Sequence, residues 1–112
     1  MLMRSVTFSS ISNNHKLYFS RSELTKILNC YSIGVSRGNW KDYALDFKNN
    51  EAAFLIYKHT LARPEYVLKK YREKKKKKSL FYLSTNSRKN KKFENIDKLI
   101  ISIKRSQFSI LN

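Results

Sequence analysis

Gly38-Asn39-Trp40-Lys41-Asp42-Tyr43-Ala44-Leu45-Asp46-Phe47 is the stretch that decides the fold of this chain. A glycine suited to a left-handed stop ends one element there, and a two-residue alternation begins the next. Tyr43, Leu45 and Phe47 fall on one side, Ala44 and Asp46 on the other, as in a strand with one buried face. A helix is therefore expected before Gly38 and a sheet after it.

The residues upstream supply the helix. Ser20 and Glu23 make an S-x-x-E capping box, in which each side chain accepts a backbone N–H at the helix start. Phe19 and Leu24 flank it where two apolar side chains staple the first turn. Leu24, Ile27, Leu28, Tyr31 and Val35 then recur at helical spacing as one apolar stripe. Gly34 lies in the last turns, which its backbone freedom is expected to fray.

Downstream, Lys48-Asn49-Asn50-Glu51 is turn chemistry, because asparagine tolerates positive φ. Residues 53–58 form a second strand with Phe54 and Ile56 on one face and Leu55 and Tyr57 on the other, which suits an interior position. Ala62-Arg63-Pro64 interrupts the pattern, and residues 65–71 and 79–84 read as a third and a fourth strand. After a turn at Thr85-Asn86-Ser87-Arg88, residues 89–93 suit a short edge strand blunted by lysine. Asn95 caps a second helix whose stripe is Ile96, Leu99, Ile100 and Ile103. The expected fold is α+β in two layers: an N-terminal helix, an antiparallel meander of four to five strands and a C-terminal helix, with both helices on one sheet face. Residues 1–16 are expected as a flexible segment, 17–106 as a single domain and 107–112 as a tail.

The blocks 17–24 (Leu-Tyr-Phe-Ser-Arg-Ser-Glu-Leu), Ile27-Leu28, Tyr31 and 38–47 resemble a family of small alphaproteobacterial proteins known as domain of unknown function 2794. The similarity runs more loosely through Ala53-Phe54, Pro64 and Tyr66, over residues 17–104. Its specific parts are F-x-R-x-E-L and G-x-W-[RK]-D-Y-A-[IL]-D. Ser32 departs from the family's usual glycine, and the segment before the last helix is rich in Lys and Asn instead of containing glycine. The resemblance implies a fold class and a bacterial cytoplasmic setting, and carries no activity with it.

At 112 residues the chain suffices for one modest core. A hydrophobic fraction of 41% argues against wholesale disorder, and no apolar run reaches the ~18–20 residues of a membrane-spanning helix. A single cysteine, Cys30, permits no internal disulfide and suits a reducing compartment such as the bacterial cytoplasm. The Ser- and Arg-bearing, acid-free residues 1–16 leave a mitochondrial matrix setting as the alternative.

Asp42 and Asp46 share one strand face. With no third ligand in register they read as a solvent face paired with lysines. Trp40 reads as a core residue beneath the first helix, its alternative being a docking or stacking role. His15 and His59 read as loop histidines, and Cys30 as a small buried hydrophobe. No G-x-S-x-G, P-loop, dinucleotide fingerprint or C-x-x-C is present. No nucleophile–base–orienter set can be named, so the expectation is a non-enzymatic protein with no cofactor and no metal site.

Charge is the remaining signal. Lys and Arg number 24 against 8 acids, a net +16, which attracts polyanions through counterion release. Arg72-Glu73-Lys74-Lys75-Lys76-Lys77-Lys78 lies between the third and fourth strands and is the strongest functional candidate. The expected nucleic-acid-binding residues are Lys70, Arg72, Lys74, Lys75, Lys76, Lys77, Lys78, Lys91 and Lys92. Phe81 and Tyr82 are candidates for base stacking. The function expected is contact with RNA or a ribonucleoprotein through backbone phosphates. The alternative is an accessory protein or small subunit of a larger complex, whose partner covers the surface around Trp40 and Tyr57. Its charge would then be solubilising, or a result of AT-rich codon bias. The two readings differ in arrangement, since phosphate binding needs basic residues on one face and compositional drift scatters them.

Overall fold

The computed structural model describes residues 16–59, 62–73, 78–85 and 90–108. In chain order the elements are α1 (Arg21–Ser36), β1 (Asp42–Lys48), β2 (Glu51–Tyr57), β3 (Tyr66–Glu73), β4 (Lys78–Thr85), β5 (Lys91–Phe93) and α2 (Ile96–Phe108). The strands form one antiparallel meander in the order β1-β2-β3-β4-β5.

α1 starts where its capping box directs. The Glu23 N–H donates to Ser20 Oγ at 3.1 Å, and the Ser20 N–H donates to Glu23 Oε1 at 2.8 Å. Beyond its far end Gly38 holds φ at +79°, a conformation a β-carbon resists. Gly34 does not fray the helix, which runs on to Ser36. It is buried instead, because the Trp40 ring lies so close that a β-carbon would stand 2.1 Å from Trp40 Cε3.

The first hairpin turns on Asn49 and Asn50 alone, with Lys48 opposite Glu51 and Asn50 at φ +63°. β2 therefore begins two residues earlier than the pattern suggested, and it is flanked by β1 and β3. β3 and β4 extend their pairing to Glu73 opposite Lys78. β5 is short and sits at the edge.

Period-two alternation sorts the side chains onto two faces. Leu45, Phe54, Leu68 and Leu83 register as one row across β1 to β4. Together with Phe81, Ile56 and Tyr66 they meet Ile27 and Cys30 of α1 and Leu99, Ile100 and Ile103 of α2 in a single core. Each fully buried large apolar side chain contributes roughly 1.5–3 kcal/mol, so this one layer of contacts carries most of the fold. Both helices lie on that face, giving two layers. On the other face stand Ala44, Leu55, Val67, Tyr82 and their neighbours, and no helix of the described residues packs against it.

The expected domain limits shift slightly. α2 continues to Phe108, whose buried ring lies 5.5 Å from that of Trp40. Gln107 Oε1 accepts from the Tyr66 hydroxyl at 3.0 Å, so residues 107 and 108 belong to the domain and not to a tail. Lys16 bridges to Asn49, and the Leu17 N–H donates to the Lys48 carbonyl at 3.0 Å. The rest of the two expected terminal segments, residues 1–15 and 109–112, lies outside the described residues.

Candidate nucleic-acid interface

β5 is an edge strand whose consecutive lysines must point to opposite sides of the sheet. Lys92 registers opposite Tyr82 on the open face, and Tyr82 registers opposite Lys69, so one ring stands between two ammonium-bearing strands. The Tyr82 ring meets that of Tyr71 edge-on, with centroids 5.1 Å apart. Lys78 opens β4 on the same face, exposed and opposite Glu73. Lys69 is partly neutralised by Glu51 at 3.5 Å. On this open face Asp42, Asp46 and Glu51 outnumber Lys48 on β1 and β2, Lys69 and Glu73 balance on β3, and Lys78 and Lys92 stand on β4 and β5. The face is polarised, with its cationic side toward β5.

Lys91 turns the other way, toward the helices. There an open cleft of about 610 Å³ separates β5 from α2. Phe93 and Ile101 supply its apolar lining, and Lys91, Lys98 and Arg105 its charge. Ser102 and Ser106 complete it. Positions 98, 101/102 and 105/106 are one stripe of α2, separate from the core stripe at Ile96, Leu99, Ile100 and Ile103. Lys98 reaches Glu94 only across 3.7 Å between exposed side chains, a pairing that contributes little. The Ser106 hydroxyl is engaged by that of Tyr66 at 3.0 Å.

The basic residues singled out from the sequence therefore divide. Lys78 and Lys92 share the open face, Lys91 borders the cleft, and Arg72 is exposed at the helix-side end of β3. Lys74, Lys75, Lys76 and Lys77 lie outside the described residues. Lys70 must be corrected. It is 7% exposed, and its Nζ donates to Glu23 Oε1 at 2.7 Å and to the Tyr18 carbonyl at 3.0 Å. Alternation puts it on the helix side between Ala52 and Phe81, where a bare ammonium would be costly. The capping carboxylate neutralises it, so Lys70 has no charge to offer a phosphate.

Phe81 is likewise core at 4% exposure, which leaves Tyr82 as the accessible ring of the pair. Trp40 is 1% exposed and stacks on Tyr31, so it cannot form a partner's contact surface; a stop glycine and a small residue at 34 let the indole fold inward. Tyr57 is half-buried on the open face, the opposite side of the sheet from Trp40, so the two do not make one patch. Asp46 pairs with Lys48 at 3.6 Å, and Asp42 Oδ1 accepts the Tyr43 N–H at 2.8 Å, in keeping with a solvent-facing pair. Among the described residues no three His, Cys, Asp or Glu side chains come together as metal ligands. His59 is exposed, and His15 lies outside the described residues.

Lys98, Ile101 and Arg105 were not singled out from the sequence. Their helical spacing was readable there, but the strand they would face was not. No described helix is long and apolar enough to cross a membrane. No curated protein and no solved structure matches the chain. Residues 17–97 match the family model described as "Protein of unknown function (DUF2794)", a span that includes the capping box, Gly38 with Trp40, and the whole sheet. By that match the chain belongs to the DUF2794 family.

Proposed function

We propose that this protein is a non-enzymatic basic domain of the bacterial cytoplasm that contacts RNA or a ribonucleoprotein through backbone phosphates, at the β4–β5–α2 end of the molecule. One observation carries this reading. The edge strand β5 presents cations to both faces of the sheet, Lys92 to the open face and Lys91, with Lys98 and Arg105 of α2, to the helix face, while Lys78 stands on the open face of neighbouring β4 opposite Glu73. Lys74 to Lys77 precede Lys78 in the sequence and lie outside the described residues. Such a surface holds phosphates by charge alone and reads no base.

The test is to replace Lys78, Lys91 and Lys92 together with glutamine. Binding to unrelated RNA sequences should weaken by similar factors. The slope of log affinity against log salt should flatten by roughly 0.7–0.9 for each phosphate that the variant no longer engages. Replacing Lys41, Lys48 and Lys58, exposed at the β1–β2 side, should do much less. Equal weakening by both triple variants would mean that position is irrelevant and only net charge matters.

The accessory-protein reading has its own support in Leu55, Tyr57 and Val67, half-buried apolar residues on a sheet face that no described helix covers. In that reading, proteins recovered with the chain from its native cell survive nuclease treatment.

A further inference from the structure

Resting on the nucleic-acid reading, we propose that the cleft between β5 and α2 receives an unpaired nucleotide, so that the domain prefers single strands to duplex. Contact with phosphates alone requires no apolar floor. Here the floor is Phe93, half-buried, and Ile101, which is 48% exposed and one of three large apolar side chains so exposed among the described residues. A duplex hides its base faces inside the stack and offers this surface only phosphate and sugar. A single strand offers base faces, and these associate with aromatic and apolar side chains irrespective of sequence.

The rim suits what flanks a base. Lys91, Lys98 and Arg105 converge on the opening, where neighbouring phosphates would lie, and the Ser102 hydroxyl can meet a base edge or a ribose hydroxyl. Of the acids nearby, Asp97 pairs with Lys26 at 3.0 Å, and Glu94, 3.7 Å from Lys98, offsets part of the rim's positive charge. A volume of about 610 Å³ falls in the range of small-ligand sites. Lys91 and Lys92 are consecutive on β5 and point to opposite sides of the sheet, so a strand seated in the cleft reaches Lys92 by passing over the sheet edge. An acidic peptide would also meet these cations, but the edge available for it to pair with is only three residues long.

Ile101→Gln tests the inference without changing charge or disturbing the core. Affinity should be measured for an oligouridylate of about 12 nucleotides and for a duplex of similar length. The single strand should bind roughly tenfold more weakly to the variant, with the duplex affinity and both salt slopes unchanged. Ultraviolet cross-linking of oligouridylate to the unaltered protein should place the adduct on the peptide containing Phe93. If the variant binds both ligands as before, or both more weakly by the same factor, the cleft is not a base site, while the phosphate reading stands. If the unaltered protein binds neither ligand at low salt, both readings fall. Shifts of α2 and β5 amide resonances with oligoglutamate, and none with oligouridylate, would assign the cleft to a protein partner and overturn the inference.

Discussion

At Gly34, helix propensity and packing make opposite demands. Propensity alone favours alanine there by about 1 kcal/mol. The Trp40 ring, however, lies where the new β-carbon would go, and it is held by Tyr31, Tyr66 and Phe108 at centroid distances of 6.1, 5.9 and 5.5 Å. An indole enclosed on three sides has nowhere to move, so packing wins. Gly34→Ala should lower stability by about 1–3 kcal/mol, read as a lower urea midpoint at unchanged slope; a raised midpoint would show that the last turn of α1 can move away. Cys30, 3% exposed, presents a different constraint. Burial pushes its thiol from 9.0 up to about 11, against a smaller opposing pull from Lys104. The folded chain therefore holds this proton more tightly than the unfolded one. The resulting stability is fully present below pH 9 and is lost as pH rises through about 11. At pH 8 a disulfide reagent should leave native Cys30 untouched and titrate it fully in denaturant. Prompt reaction of the native protein would reveal local opening of α1.

Among the elements, the start of α1 does two jobs with one carboxylate. Glu23 Oε1 accepts the Ser20 N–H and also the ammonium of Lys70 from β3. Ser20→Ala removes only one cap acceptor and should cost about 1 kcal/mol. Glu23→Ala removes the other cap bond and also leaves a buried ammonium with the Tyr18 carbonyl alone, so it should cost roughly 3 kcal/mol. Adding Lys70→Met to Glu23→Ala should recover part of that cost, by a coupling above about 0.5 kcal/mol. Equal costs for the two single alanine variants, from matched denaturation curves, would mean that Lys70 simply escapes to water. The exposed Lys26–Asp97 pair between α1 and α2 is of another kind, and little of the helix packing depends on it.

For the whole molecule the dominant quantity is +16 on one small domain. Self-repulsion opposes the compact state, and salt screens it over a Debye length of about 10 Å at 0.1 M. The ion pair that matters most, Lys70 with Glu23, is buried and screened far less. Raising sodium chloride from about 0.02 to 0.3 M should therefore raise the melting temperature by a few degrees. A falling melting temperature would mean that surface ion pairs outweigh repulsion. The same salt should weaken RNA binding, so stability and affinity ought to move in opposite directions.

The order of elements was written in the chain itself. The capping box, the glycine stop and the alternation at Tyr43, Leu45 and Phe47 each act between residues two to four apart, so local chemistry sufficed for α1, the meander and α2. Gly34 and Lys70 were misread for one reason: each is decided by a residue that the local pattern does not connect to it. Trp40 fills the space a side chain at 34 would need, and Glu23, 47 positions before Lys70, makes its burial tolerable. The candidate site divides in the same way. Composition revealed how much positive charge the chain carries, but only strand register decided that Lys91 faces the helices and Lys92 the open face. Only the docking of α2 beside β5 brought Lys98, Ile101 and Arg105 to Lys91, because that cleft is made by two surfaces that meet in space.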